Sequence, residues 1–550
     1  MKKALTLILA LAMLFVMTIP AFAEDNTVLT IEDDGDRTYV GYQLLELTTS
    51  LKADNHHTDH DGEHTSDCYN YAYTVNADYR AILQTEVFNN GGNYLWEDTP
   101  KPAAATAVTD AQIMQYLANQ KSDNGDVYLT MRQVADRLYR AIKAAGIEAE
   151  AKNLTGTNDS IAQGYWLFAD VTDLANDNDA NSLVMVDTKG QEDLTIQPKT
   201  ALPTVEKKVK DIEDSEDDSI LDNAWHDSAD HDIGDTVPFK LTGTLPSNAQ
   251  YYTAYKMVFH DTLSAGLTFN AASVKVLMYD TKHKADVDTD LNDAVKDVTA
   301  NFVVKTTDLT DATCTFEVSC ENVFAIEGVT KETAFVVYYE AELNNAAVIG
   351  ALGNPNQVYL EFSNDPYGTT TGKTEIDKVV VFTYQLVINK TDSHGHELAG
   401  AGFTLYKKNL LSANADLYDI VGTVQGGVGS DLTTFTWTGL DDGDYKLVES
   451  TVPAGYNKMS DIVFSISATH SETDGEPTLL TLDGGMLGEG QKADGVLTGA
   501  IEKDIVNNTG TILPETGARG TLLLIGGGAL LVVLAAVFMI TRKKMSIYAD

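Results

Sequence analysis

The sequence predicts a mainly β protein: two tandem β-sandwich domains behind a mixed α+β N-terminal domain. Three observations predict this. Segments such as "YKMVFHDTL", "TAFVVYYEAEL", "QVYLEFSN", "VVVFTYQLVINK" and "TTFTWTGL" are rich in Val, Tyr, Phe and Thr and show alternation. Gly, Asn, Asp and Ser turns separate them, as in sandwich folds. Helical periodicity occurs only early, in "DAQIMQYLANQ" and in "LTMRQVADRLYRAIKAAG", which Gly146 stops.

The elements follow in chain order. The opening "MKKALTLILALAMLFVMTIPAFAEDN" has basic Lys2 and Lys3, an apolar run, and small residues at Ala21 and Ala23. Residues 1–23 read as a secretory signal cleaved after Ala23. The mixed domain spans 24–199 and closes at "QPKTALPT", where Pro198 and Pro203 change the pattern. A β-sandwich spans 200–376, ending in the turn-rich "NDPYGTTTGKTEID", and a second spans 377–512. Then comes the pentapeptide Leu513-Pro514-Glu515-Thr516-Gly517. The apolar span 521–541 would reach about 31 Å as a helix, enough to cross a hydrocarbon core. Arg542, Lys543 and Lys544 begin a basic tail, 542–550, which holds the extreme terminus in the cytoplasm and the bulk of the chain outside.

Composition excludes several functions. The 550 residues are 43% hydrophobic, enough for packed cores and about three domains. A net charge of −43 argues against nucleic acid and against anionic lipid. Three cysteines make no disulfide framework. Cys314 and Cys320 lie about 20 Å apart if "CTFEVSC" is a strand, and Cys68 has no evident mate. "HHTDHDGEH" gathers His56, His57, His60 and His64, but no second cluster fixes a geometry, so it reads as a solvated insertion with no metal site. No Ser/His/Asp arrangement or phosphate-binding glycine loop is present, and we expect neither enzymatic activity nor a cofactor.

Some lysines stand where a core is expected. In "YQLVINKTD", Leu386, Ile388 and Lys390 share a strand face; in "GDYKLVESTVPAGYN", Tyr445, Leu447 and Glu449 do; in "IEKDIVNNTG", Ile505 and Asn507 do. Burial favours a neutral amine and a protonated carboxyl. A neutral amine is a nucleophile, and a protonated carboxyl polarises an amide carbonyl. Together they can form a Lys–Asn amide with loss of ammonia. The plainer reading is a buried ion pair. The middle domain repeats the pattern with Val205, Lys207 and Val209, with Met257, Phe259 and Asp261, and with Val358, Leu360, Phe362 and Asn364. A one-residue slip would exchange Lys207 with Lys208, and ordinary surface lysines are the alternative.

These motifs carry a resemblance. The pentapeptide, span and basic tail resemble the sorting signal of Gram-positive surface proteins, read by sortase transpeptidases. That implies attack by a sortase cysteine on the Thr516 carbonyl, cleavage before Gly517, and transfer of the acyl group to an amine. "GLDDGDYKLVESTVPAGYN" resembles the E-box strand of the B-type repeat of collagen-adhesin and pilin proteins, with "VINKTD" and "IVN" as its first and last strands. The resemblance implies Lys390 as amine, Asn507 as carbonyl donor and Glu449 as carboxyl. The middle domain resembles the A-type domain, implying a Lys207–Asn364 bond assisted by Asp261. "EDLTIQPKT" resembles the pilin motif of backbone subunits and implies Lys199 as the intersubunit acceptor.

As a whole the chain resembles a sortase-assembled major pilin with immunoglobulin-like domains of the collagen-adhesin type. Subunits would join head to tail, Thr516 of one to Lys199 of the next, in a fibre that does not close. The implied partners are sortase, identical subunits and peptidoglycan, with minor pilins and host or community ligands as further candidates. The implied location is the cell wall, reached through a membrane-bound precursor. The competing expectation is a wall-anchored adhesin or minor pilin displayed as a single copy.

Overall fold

Alternating burial along the strands builds two sandwiches in series after a mixed α+β first domain. The structure is a computed structural model that describes residues 26–32, 37–52, 69–96, 100–120, 131–155, 159–188, 193–196, 200–211, 224–409, 417–471, 477–510 and 519–547.

In the first domain, Tyr39–Lys52 pairs antiparallel with Tyr69–Val75 on one side and Gly164–Asp170 on the other. Three helices, Arg80–Asn90, Asp110–Ala118 and Met131–Ala145, share a core with this sheet that includes Leu44, Leu83, Ile113, Leu138 and Leu167. The second helix starts at a capping box made by Thr109 and Gln112. The third ends where Gly146 takes φ +65°, and Ile147 N–H donates to the Ile142 carbonyl at 3.2 Å in a Schellman motif. The helix Arg80–Asn90 was not legible in the sequence: it buries only Leu83, Glu86 and Val87.

The middle domain is a sandwich. One sheet orders Ser228–Asp230, Asp377–Phe382, Asn354–Ser363, Met257–Leu263, Phe316–Cys320 and Val303–Lys305. The other orders Lys296–Asp297, Leu267–Tyr279, Ala334–Leu343, Thr236–Thr244 and Val205–Val209. Phe239, Phe259, Phe316, Val337 and Leu360 are among the residues of the core between them. Cys314 and Cys320 are buried free thiols.

In the C-terminal domain, Tyr384–Asp392 lies between Thr434–Leu440, antiparallel, and Ala500–Asn507, parallel. A second sheet contains Gly402–Lys408, Gly443–Thr451 and Ile462–Ser471, and Ile388, Phe403, Tyr445 and Ile501 help fill the core.

The boundary between the sandwiches differs from the expected 376/377. Asp377–Phe382 hydrogen-bonds into the middle domain, so the break falls at Thr383. Val379 and Val381 enter the middle core while Val380 and Phe382 enter the C-terminal core. Burial on both faces makes the run "VVVF" continuously apolar and hides the boundary from a reading based on alternation. Lys407 clasps the same junction, its amine reaching Asp232 at 2.6 Å and Asp441 at 3.2 Å.

The helix Arg519–Ile547 contains the window Ile525–Arg542, with a mean hydropathy of 2.0, long and apolar enough to cross a membrane.

Candidate functional site

The strand Val205–Val209 buries alternate side chains, and Lys207 is completely buried. Its amine bonds to Asp261, also completely buried, and donates to the Tyr339 hydroxyl at 3.0 Å. Tyr339 in turn donates to Asp261 Oδ1 at 3.1 Å. The rings of Phe239 and Tyr339 lie 5.6 and 5.4 Å from the amine. Burial lowers the Lys207 pKa to about 8, against the opposing pull of Asp261, and raises that of Asp261. Both shifts favour the neutral pair. The alternative Lys208 faces outward and pairs with Asp227 at 2.5 Å.

The asparagine at this site is Asn356. Its Nδ2 donates to the Tyr339 hydroxyl at 2.7 Å, and its Oδ1 is buried without a hydrogen-bond partner among the described residues. Asn364, the residue expected from the sequence, sits elsewhere. The register pairs Asp261 with Val358 and Leu263 with Asn356, and running it on sets Asn364 level with Tyr255, about 20 Å along the strand from Asp261. Asn356 and Asn364 share the same strand face, so alternation alone does not separate them; strand register does. Asn364 instead clasps the first domain: its Nδ2 donates to the Leu174 carbonyl at 2.7 Å, and its own carbonyl accepts from Asn181 N–H at 2.9 Å.

In the C-terminal domain the structure brings the three expected residues together. Lys390, Glu449 and Asn507 are all buried. The parallel register sets Lys390 opposite Ile505, two residues before Asn507 on the same face, and the amine donates to the Ile505 carbonyl at 2.8 Å. Asn507 Nδ2 donates to Glu449 Oε1 at 2.7 Å, and Asn507 Oδ1 has no hydrogen-bond partner among the described residues. Burial lowers the Lys390 pKa against the pull of Glu449. Rotating the Asn507 amide by half a turn would set Oδ1 against Glu449, where a protonated carboxyl donates to it.

Each site thus joins a nucleophile, a proton carrier and an electrophile away from water. A neutral lysine Nζ attacking the asparagine Cγ would form an amide and release Nδ2 as ammonia, with the carboxyl moving the proton. Tyr339 was missed in the sequence; it lies on the inward face of "FVVYYEAEL" with Phe335 and Val337. Ala23, Lys199, the motif from Leu513 to Gly517 and the run from His56 to His64 lie outside the described residues.

Fold and sites define a class: tandem sandwiches with buried lysine–carboxyl–asparagine clusters, followed by an apolar helix. Residues 384–477 match the SpaA family, described as a prealbumin-like fold domain. The chain is 26% identical over 277 residues to the trypsin-resistant surface T6 protein of Streptococcus pyogenes serotype M6, a match covering 47% of this chain and 44% of the relative. It therefore spans less than half the length of that curated relative.

Among solved structures, the chain is similar to the T6 backbone pilin of serotype M6 Streptococcus pyogenes. The TM-score is 0.45 at 17% identity, with 89% of this chain and 100% of that one covered. The full-length major pilin SpaD from Corynebacterium diphtheriae gives 0.39 at 14%, covering 89% and 99%. The comparisons thus give residues 384–477 a prealbumin-like fold and the chain a similarity to a streptococcal surface protein.

Proposed function

We propose that the chain is the structural subunit of a covalent cell-surface pilus, cross-linked inside its domains and joined to its neighbours by a sortase. The observation that carries this reading is the pair of buried clusters, Lys207–Asp261–Asn356 and Lys390–Glu449–Asn507. Each ties the first strand of a sandwich to a strand near its end. The Lys207–Asn356 pairing replaces the Lys207–Asn364 bond expected from the sequence. Neither bond needs a cofactor or a second enzyme in this reading, because burial lowers the pKa of Lys207 and of Lys390 and raises that of Asp261.

The two bonds define a load path. Tension entering ahead of Lys207 crosses to Asn356, runs through the shared strand Asp377–Phe382 to Lys390, and crosses to Asn507. The chain between the bonded residues of each domain carries no load. Beyond Asn507 lies the sorting signal, where a sortase would cleave between Thr516 and Gly517 and pass the acyl group to Lys199 of the next copy. The apolar helix Arg519–Ile547 supports a membrane-held precursor. Sortase, identical subunits and peptidoglycan are the partners this reading requires, and the cell wall is its location.

A denaturing blot of wall extracts tests it. The reading predicts an SDS-resistant ladder of high-mass species. A single wall-linked band would instead establish the adhesin or minor pilin.

A further inference from the structure

A concave site of about 780 Å³ lies on the middle domain, lined by residues of the sheet that contains the Lys207 strand but not by the buried lysine cluster itself. Two irregularities build it. On Leu267–Tyr279, Asn270 pairs with Glu340 and Lys275 with Tyr338, so the residues between Asn270 and Lys275 bulge out of the ladder into one wall. The other wall is the loop after Lys282–Val287, where Leu291 holds φ +58°, a left-handed conformation that bulky side chains rarely adopt. Asp288 fixes that loop by accepting from the backbone N–H of Asn292 at 3.2 Å and of Asp293 at 2.7 Å, and from the Tyr279 hydroxyl at 3.0 Å. Strain held in place this way is a mark of ligand sites.

The lining chemistry selects the ligand. Trp225 and Tyr338 meet edge to face, centroids 6.4 Å apart, and the indole is pinned by its N–H to the Thr289 carbonyl at 3.1 Å. Lys210 and Lys275 bring ammonium groups to these rings, and Asn292, Asp297 and Glu340 bring amide and carboxylate oxygens, one oxygen of Asp297 being taken by Thr299 and one of Glu340 by Tyr338. A sugar hydroxyl donates and accepts at once, so it suits ammonium and carboxylate groups side by side, while the C–H face of a pyranose packs on an aromatic ring. The volume is in the range of small-ligand sites. Charges of both signs line it, and the surrounding chain carries −43, which opposes an acidic ligand.

We propose that this pocket binds a neutral oligosaccharide. The inference stands apart from the pilus reading and holds for a polymer or a single displayed copy. Calorimetry and saturation-transfer NMR on the purified exported chain test it, with N-acetyllactosamine, chitotriose and cellotriose as neutral probes and 3′-sialyllactose as the acidic one. At least one neutral probe should bind, and Trp225→Ala should weaken it roughly tenfold or more. Asn292 is exposed on its loop, so Asn292→Ala keeps the fold and should also weaken that probe. The proposal is overturned if no neutral probe binds at millimolar concentration, if sialyllactose alone binds, or if binding survives both substitutions.

Discussion

Lys207 and Asn356 meet on one atom, the Tyr339 hydroxyl, which accepts from the amine at 3.0 Å and from the amide nitrogen at 2.7 Å. That hydroxyl donates to Asp261, so a single phenol organises nucleophile, electrophile and proton carrier. Replacing Tyr339 with Phe should slow the cross-link without abolishing it, since Lys207 and Asp261 remain in contact. Intact mass followed over time after refolding reads the rate; a Tyr339→Phe chain that closes as fast as the parent would remove Tyr339 from the chemistry.

Asn356 and Asn364 make opposite predictions. With both bonds formed, the exported chain should weigh about 34 Da less than its sequence, about 17 Da for each ammonia lost. Asn356→Ala should forfeit about half of that deficit, whereas Asn364→Ala should keep all of it. Losing the cross-link opens a loop of more than a hundred residues, a cost on the order of 4–5 kcal/mol by analogy with disulfides, read as a drop in Tm.

Asn364 has its own expected effect. Removing its side chain leaves the Leu174 carbonyl without its 2.7 Å donor at the junction of the first two domains. That costs about 1–3 kcal/mol. Limited proteolysis should show faster cleavage at this junction in Asn364→Ala, with the ammonia deficit unchanged.

The pH dependence has a defined sign. In Asn356→Ala, Lys207 stays unreacted with its pKa lowered by burial to about 8 from 10.5. Between those values the unfolded chain holds a proton that the folded chain has lost. Stability should therefore rise with pH across that window, relative to a Lys207→Met, Asn356→Ala double variant. Asp261 works the other way at acid pH: its raised pKa means the folded chain keeps a proton that the unfolded chain loses, so stability falls as pH climbs above 3.8. Denaturant melts of the two proteins across both windows check the signs.

The acceptor lysine has a direct test. In cells, Lys199→Ala should collapse the SDS-resistant ladder to single subunits; an intact ladder would exclude Lys199 as the acceptor.

The sequence placed Lys390 and Asn507 inward because they sit on neighbouring parallel strands, where alternation alone sets the face, and the structure buries both. It disclosed Lys207 and Asp261 for the same reason. It could not choose between Asn356 and Asn364, since both share a face and only the pairing of Asp261 with Val358 separates them. The break at Thr383 was hidden because Val379 to Phe382 serve two cores at once. The pocket beside Trp225 depends on a bulge and a left-handed leucine, neither of which leaves a periodic trace.

Peptide mapping of the exported protein tests the central claim most directly. Two branched peptides are predicted, one joining Lys207 to Asn356 and one joining Lys390 to Asn507, each short by one ammonia. Linear peptides with free amines at Lys207 and Lys390 would contradict the account.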